Sequence, residues 1–122
     1  MKIESHRDLI VWQKSMDMVV QIYQLSTLFP SIENYRLTSQ ITRAAVPVPA
    51  NIAEGHARGT TKNDFAHFLS IAKGSLMETE TFLMLAIRLN YLTLEQANST
   101  LSLITEISKM LTSLRYRILN NP

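Results

Sequence analysis

Asp64 and His67 stand three residues apart, a spacing that sets a carboxylate and an imidazole on one face of a helix. Di-iron bundles use such pairs, but there the acid is glutamate, the pair recurs on two helices, and further glutamates complete the ligand set. This chain has one pair, and His6 and His56 have no partner at matching spacing. No metal and no other cofactor is therefore expected. Glu78 and Glu80 are two residues apart and point to different sides of a helix, a poor acid/base pair. The absence of cysteine removes disulfides, thiolate zinc sites and cysteine nucleophiles, and it fits a reducing cytoplasm. No glycine-rich phosphate loop, nucleophile elbow or zinc-protease motif occurs. The reading is of a protein without catalytic residues or an indicated small-molecule substrate.

What remains is charge. His56, Arg58, Lys62, His67 and Lys73 crowd positive charge after Gly55, against Asp64 alone, and Arg115 and Arg117 add to it near the C-terminus. On a single chain this is an ordinary solvated surface. Repeated around a ring, its summed field holds phosphates. Arg58, Lys62, Lys73, Arg115 and Arg117 are thus the candidate contacts for RNA or DNA. A second polar set, Gln40, Arg43, Asn51 and Glu54, forms a stripe on one helix. It serves either as a binding site or as a network fixing helix register or subunit contacts. The network is the expectation, because polar groups near a kink satisfy freed carbonyls. Trp12 and Tyr23 read as core or interface aromatics, with base stacking open to them only if exposed.

The elements that carry these residues are helical. Three glycines and four prolines in 122 residues leave long uninterrupted stretches. A first helix is expected over residues 8–28, capped by Asp8, with Leu9, Trp12, Met16, Val19, Val20 and Tyr23 as its apolar stripe. Phe29-Pro30 ends it. Thr38 or Ser39 caps a second helix running to about Ala57, with Ile41, Ala44, Ala45, Val48 and Ile52 on its core side. Pro47 and Pro49 lie inside that period and are expected to kink this helix without ending it. Gly55 lies near its end and Gly59 beyond it, where a left-handed stop costs little. Thr60 or Thr61 caps a third helix, with Phe65, Phe68, Leu69, Ala72, Leu76, Leu83, Ala86 and Ile87 facing inward. Gly74 within it is read as a site of close approach by a neighbouring helix. Asn90 and Tyr91 turn the chain, and Thr93 with Gln96 forms a capping box for a fourth helix to about Leu119.

Short connectors make these neighbours antiparallel. The expected fold is all-α: an up-down-up-down antiparallel four-helix bundle, one domain spanning residues 1–122. The apolar residues of the fourth helix cover an arc of roughly 200°, wider than a surface helix needs. We read the excess as packing against another subunit. No apolar stretch reaches bilayer-spanning length, and the charged first residues are unlike a signal peptide. A net charge of +2 and a pI of about 9.1 are mildly basic, compatible with nucleic acid without indicating it.

With these elements in place, the chain resembles the four-helix-bundle family encoded in intervening sequences of bacterial 23S ribosomal RNA genes. The resemblance rests on Leu9-x-Val11-Trp12-Gln13-Lys14, Phe29-Pro30-x-x-Glu33 and Leu37-Thr38-x-Gln40-Ile41-x-Arg43-Ala44-Ala45. It continues through Val48-Pro49-x-Asn51-Ile52-Ala53-Glu54-Gly55 and Phe68-Leu69-x-Ile71-Ala72-x-Gly74-Ser75-Leu76-x-Glu78. The similarity extends to the accessory protein of diversity-generating retroelements, which shares the bundle and binds nucleic acid. Pro47 departs from the pattern, which carries a small polar residue there. The resemblance implies a homo-oligomer, in this family typically a barrel of five bundles (a pentamer), with no established enzyme activity. Two functions compete on this reading. One is a small cytoplasmic oligomer that binds RNA or DNA through repeated basic surface. The other is a scaffold or adaptor that binds another protein.

Overall fold

The computed structural model describes residues 5–58 and 61–121. Its long elements are α1 (Ile10–Ser26), α2 (Leu37–Ala45), α3 (Pro47–Arg58), α4 (Lys62–Arg88) and α5 (Leu94–Asn120), with single 3-10 turns at His6–Asp8 and Ser31–Glu33. The segments α2 and α3 are two arms of one bundle helix, so the chain runs up, down, up and down. Each bundle helix packs on the next and α5 returns to α1, while the diagonal pairs have no close backbone approach among the described residues. This is the expected antiparallel bundle.

The prolines match the expectation of a kinked, continuous helix only roughly: the helix is broken at Val46 into α2 and α3. Only Val46 separates the arms, and its backbone stays in the right-handed helical region. The Val46 N–H still reaches the Thr42 carbonyl at 3.3 Å, and the Ala50 N–H reaches Val46 at 3.4 Å. The chain is interrupted rather than looped, because Pro47 and Pro49 cannot donate to the Arg43 and Ala45 carbonyls. Pro47 then opens α3, a position where a missing N–H costs little.

Helix ends follow local hydrogen bonding. Thr61 caps α4 by accepting from the Asp64 N–H at 3.1 Å. Thr93 and Gln96 form the box expected at α5, at 2.9 and 3.1 Å. Asn90, with φ of 63°, closes α4 in a Schellman motif: Tyr91 N–H bonds to the Ala86 carbonyl and Asn90 N–H to Ile87. Two expectations need correction. Asp8 caps the preceding 3-10 turn through the Ser5 N–H, and α1 begins after Leu9 without a side-chain cap. Glu33, rather than Thr38 or Ser39, satisfies the start of α2 by accepting from the Leu37 N–H at 3.2 Å. Gly55 lies near the end of α3, as expected, and is buried there, where an added Cβ would stand 2.6 Å from the Phe68 Cβ. Gly59 and Thr60 lie outside the described residues.

Gly55 is therefore the glycine that admits a neighbouring helix. Gly74 is exposed and an added Cβ would meet nothing within 4 Å, so no helix of this chain approaches it.

The core is built from Ile41, Ala45, Val48 and Ile52 of the kinked helix and Leu69, Ala72, Leu76, Leu83 and Ala86 of α4, all buried as expected. Along α1 half of the expected stripe, Leu9, Trp12 and Val19, packs partly against the core, and the other half does not. Val11, Met18 and Ile22 point inward with Ser15 and Ser26, whereas Met16, Val20 and Tyr23 are 43%, 55% and 50% exposed. Ser15 Oγ donates to the Val11 carbonyl at 2.6 Å and Ser26 Oγ to Tyr23 at 2.8 Å, so both hydroxyls enter the interior already satisfied. Nor does α5 have an unused apolar arc. Ala97, Ile104, Ile107 and Leu111 are buried, while Leu101, Leu103, Met110, Leu114 and Ile118 pack partly against the core. Its flanks meet both α1 and α4. Leu94 at its start remains exposed.

Candidate functional site

The antiparallel course brings the start of α4 to the end of α5. Lys62 Nζ donates to the Asn121 carbonyl, pinning a cation at the C-terminal, partially negative end of α5. Farther along the same seam, Lys73 Nζ donates to Thr112 Oγ1 at 2.7 Å, and Arg115 Nε to the Ala66 carbonyl at 3.3 Å. Lys62, Lys73 and Arg115, separated by up to 53 positions in the chain, thus lie along one inter-helical seam. Each bond leaves donors over, since an ammonium has three N–H groups and a guanidinium five.

Two adjoining depressions mark this seam. One, of about 530 Å3, is lined by Ser70, Lys73, Thr112, Arg115 and Tyr116 over a floor that includes Leu69 and Leu111. The other, of about 500 Å3, is lined by Lys73, Ser108, Lys109, Thr112, Ser113 and Tyr116. Lys73, Thr112 and Tyr116 belong to both, and no acidic residue lines either. The result is a continuous groove rich in cations and hydroxyls, the groups that contact phosphate oxygens.

The other candidates fall elsewhere. Arg58 is paired with Glu54 at 2.8 Å and its guanidinium lies 5.7 Å from the Phe68 ring centre, on the α3 side of α4. Arg117 lines a further depression of about 650 Å3 between α5 and the start of α1, with Leu9, Ile10 and the carboxylate-bearing Asp8; it shares Lys109 and Ser113 with the second groove depression. Five cations read as one patch are thus three along the seam and two on other faces. Sequence reasoning missed Lys109 and Tyr116 as members of the site. Their seven-residue spacing, two helical turns, was the available signal.

The stripe Gln40, Arg43, Asn51 and Glu54 does not close into one network within the chain. Asn51 Nδ2 donates to the Pro47 carbonyl at 2.8 Å, not to the carbonyls that the prolines leave without donors. Glu54 pairs with Arg58, and Gln40 and Arg43 are exposed. His67 and His56 sit edge-on to Phe68 and Phe65 at 5.9 and 5.8 Å. Among the described residues no three His, Cys, Asp or Glu side chains converge as a metal site would require. Trp12 is half-buried and edge-on to His6 at 5.0 Å. Tyr23 is exposed, but in an apolar row toward the opposite end from Lys62.

At the far end, Glu33 holds the α1–α2 connector to the α4–α5 turn. Its carboxylate accepts from Tyr91 Oη at 2.6 Å as well as from the Leu37 N–H. The tyrosine hydrogen bond is the main cause that holds the Glu33 carboxyl below its ordinary value of 4.5. The same bond raises the Tyr91 phenol above 10.0.

Fold and site together define a small all-helical bundle with a cationic inter-helical groove. The chain belongs to the 23S rRNA-intervening sequence protein family, which it matches over residues 7–113. It is similar to a protein of unknown function from the S23 ribosomal protein family of Bacteroides thetaiotaomicron, known from its crystal structure. The two are 34% identical with a TM-score of 0.78, over 87% of this chain and 98% of that one. Curated proteins include no significant match. Among the described residues no helix is long and apolar enough to cross a membrane.

Proposed function

We propose that this protein is a non-enzymatic, self-associating cytoplasmic bundle that binds RNA or DNA through a basic groove repeated on every subunit. The observation that carries this reading is the α4–α5 groove, where Lys73, Lys109 and Arg115 gather without an opposing carboxylate among its lining residues. Phosphate contacts release counterions, so affinity for a generic RNA hairpin falls steeply as salt rises. Substituting Lys73, Lys109 and Arg115 singly by glutamine lowers the logarithmic salt slope by about one unit each. An affinity independent of salt, or a slope that all three substitutions leave unchanged, sinks the proposal.

A protein-binding scaffold is the second reading, favoured by the exposed apolar row Met16, Val20 and Tyr23 on α1. Docking there is driven by apolar burial and persists at salt concentrations that release nucleic acid.

A further inference from the structure

We infer that the α4–α5 groove takes an unpaired nucleic-acid strand and stacks a base on Tyr116; this rests on the nucleic-acid reading above and specifies its ligand. Tyr116 is 68% exposed near the C-terminal end of α5, where its neighbours Leu114 and Ile118 pack partly against the core. Its ring is shared by both depressions of the groove, with Lys73 and Thr112 from the same shared wall, Arg115 on one side and Lys109 on the other. An exposed ring bordered by backbone-binding cations is the arrangement with which proteins hold single strands: cations track the phosphates and the ring accepts any base face. In a duplex the base faces are already stacked on one another, so the ring gains nothing from it.

Exposure alone does not single out this residue. Tyr35 is 96% exposed, but it lies in the α1–α2 connector at the opposite end of the bundle and lines neither depression. At Tyr116 the ring, the cations and the hydroxyls of Ser70, Ser108, Thr112 and Ser113 coincide.

The test compares three labelled oligonucleotides of about ten nucleotides by fluorescence anisotropy: a single strand, its blunt duplex, and a strand of the same length with abasic sites. The single strand binds more tightly than the duplex. Tyr116→Ala weakens single-strand binding by about five- to a hundred-fold and leaves its salt slope unchanged. Tyr116→Phe, which keeps the ring, retains wild-type affinity. Neither substitution alters binding of the abasic strand, and circular dichroism confirms that both variants keep their helices. Equal loss on duplex and single strand, or no loss in Tyr116→Ala, overturns the stacking assignment while salt-dependent binding upholds the broader reading. No salt-dependent binding to any of the three probes overturns both.

Discussion

Two glycines on adjoining parts of the chain have opposite work, and their surroundings predict opposite mutational signs. At Gly55 an added methyl meets the Phe68 Cβ at 2.6 Å and Phe65 Cδ1 at 3.2 Å. Overpacking of this kind costs about 1–3 kcal/mol, against a helix-propensity gain near 1 kcal/mol. Gly55→Ala is expected to lower the urea midpoint by a net loss of about 1 kcal/mol. At Gly74 only the propensity gain remains, so Gly74→Ala is expected to raise stability by about 0.5–1 kcal/mol. Both signs are read from equilibrium urea curves, and a stabilising Gly55→Ala would overturn the close-approach role. The Glu33–Tyr91 clasp makes a pH-dependent prediction. A carboxyl held below its unfolded value contributes stability that is present above that value and lost as pH falls through the folded one. The raised phenol contributes stability present below its ordinary 10.0 and lost as pH rises through the folded value. Tyr91→Phe therefore lowers stability at neutral pH and shrinks its loss on acidification. Urea curves from about pH 7 to about pH 3 that fall in parallel for both proteins would exclude the clasp as a contributor.

At the scale of elements, helix ends depend on single residues whose bonds are local. Asn90 occupies a left-handed conformation that asparagine and glycine adopt far more readily than alanine. Asn90→Ala is expected to cost about 1–2 kcal/mol, whereas Asn90→Gly stays within about 0.5 kcal/mol of wild type. Thermal melts of the pair check this, and an alanine variant as stable as the glycine one would contradict it. The kinked helix shows the complementary case. Two prolines remove two ladder bonds, yet Val46 keeps helical dihedrals. Both arms bury their apolar side against α1 and α4, and that packing holds the course of the chain across the break.

For the whole molecule, the placement of uncovered apolar surface redirects the argument for self-association. Besides Leu94 and Leu119 at the ends of α5, the exposed apolar residues include the row Met16, Val20 and Tyr23 on α1, and Ile71 and Leu85 on α4, which share the outward side of that helix with the open Gly74. Because α1 and α4 occupy diagonal corners, these faces point away from each other. A two-fold dimer uses one patch against itself; two unlike patches on opposite sides favour head-to-tail contacts, which form a ring where the rotation between subunits closes and a filament where it does not. We propose that assembly joins the α1 face of one subunit to the α4 face of the next. The wild-type protein then scatters as a multiple of 13.9 kDa. Val20→Asp with Tyr23→Asp, and separately Ile71→Asp with Leu85→Asp, each dissociate it. Mixing the two variants restores one intact interface and yields a heterodimer, measured by light scattering after size exclusion. A clean monomer for the wild type removes the assembly proposal, and a mixture that stays monomeric removes the head-to-tail arrangement.

Composition and periodicity were enough for the bundle, its antiparallel order, the cap at Thr93, a cap at Thr60 or Thr61, and the inward faces of the kinked helix and α4. Those features follow from periodicity and from hydrogen bonds within a few residues, which a linear reading contains. It could not orient α1, because that helix is apolar on two sides and its buried side includes Ser15 and Ser26. Nor could it tell Gly55 from Gly74, since the difference is a phenylalanine on another helix. The groove was beyond it for the same reason: Lys73 and Tyr116 become neighbours only when α4 and α5 pack antiparallel. How each helix is rotated about its own axis is a property of its neighbours, and that rotation decided which charges share a groove and which apolar rows remain uncovered.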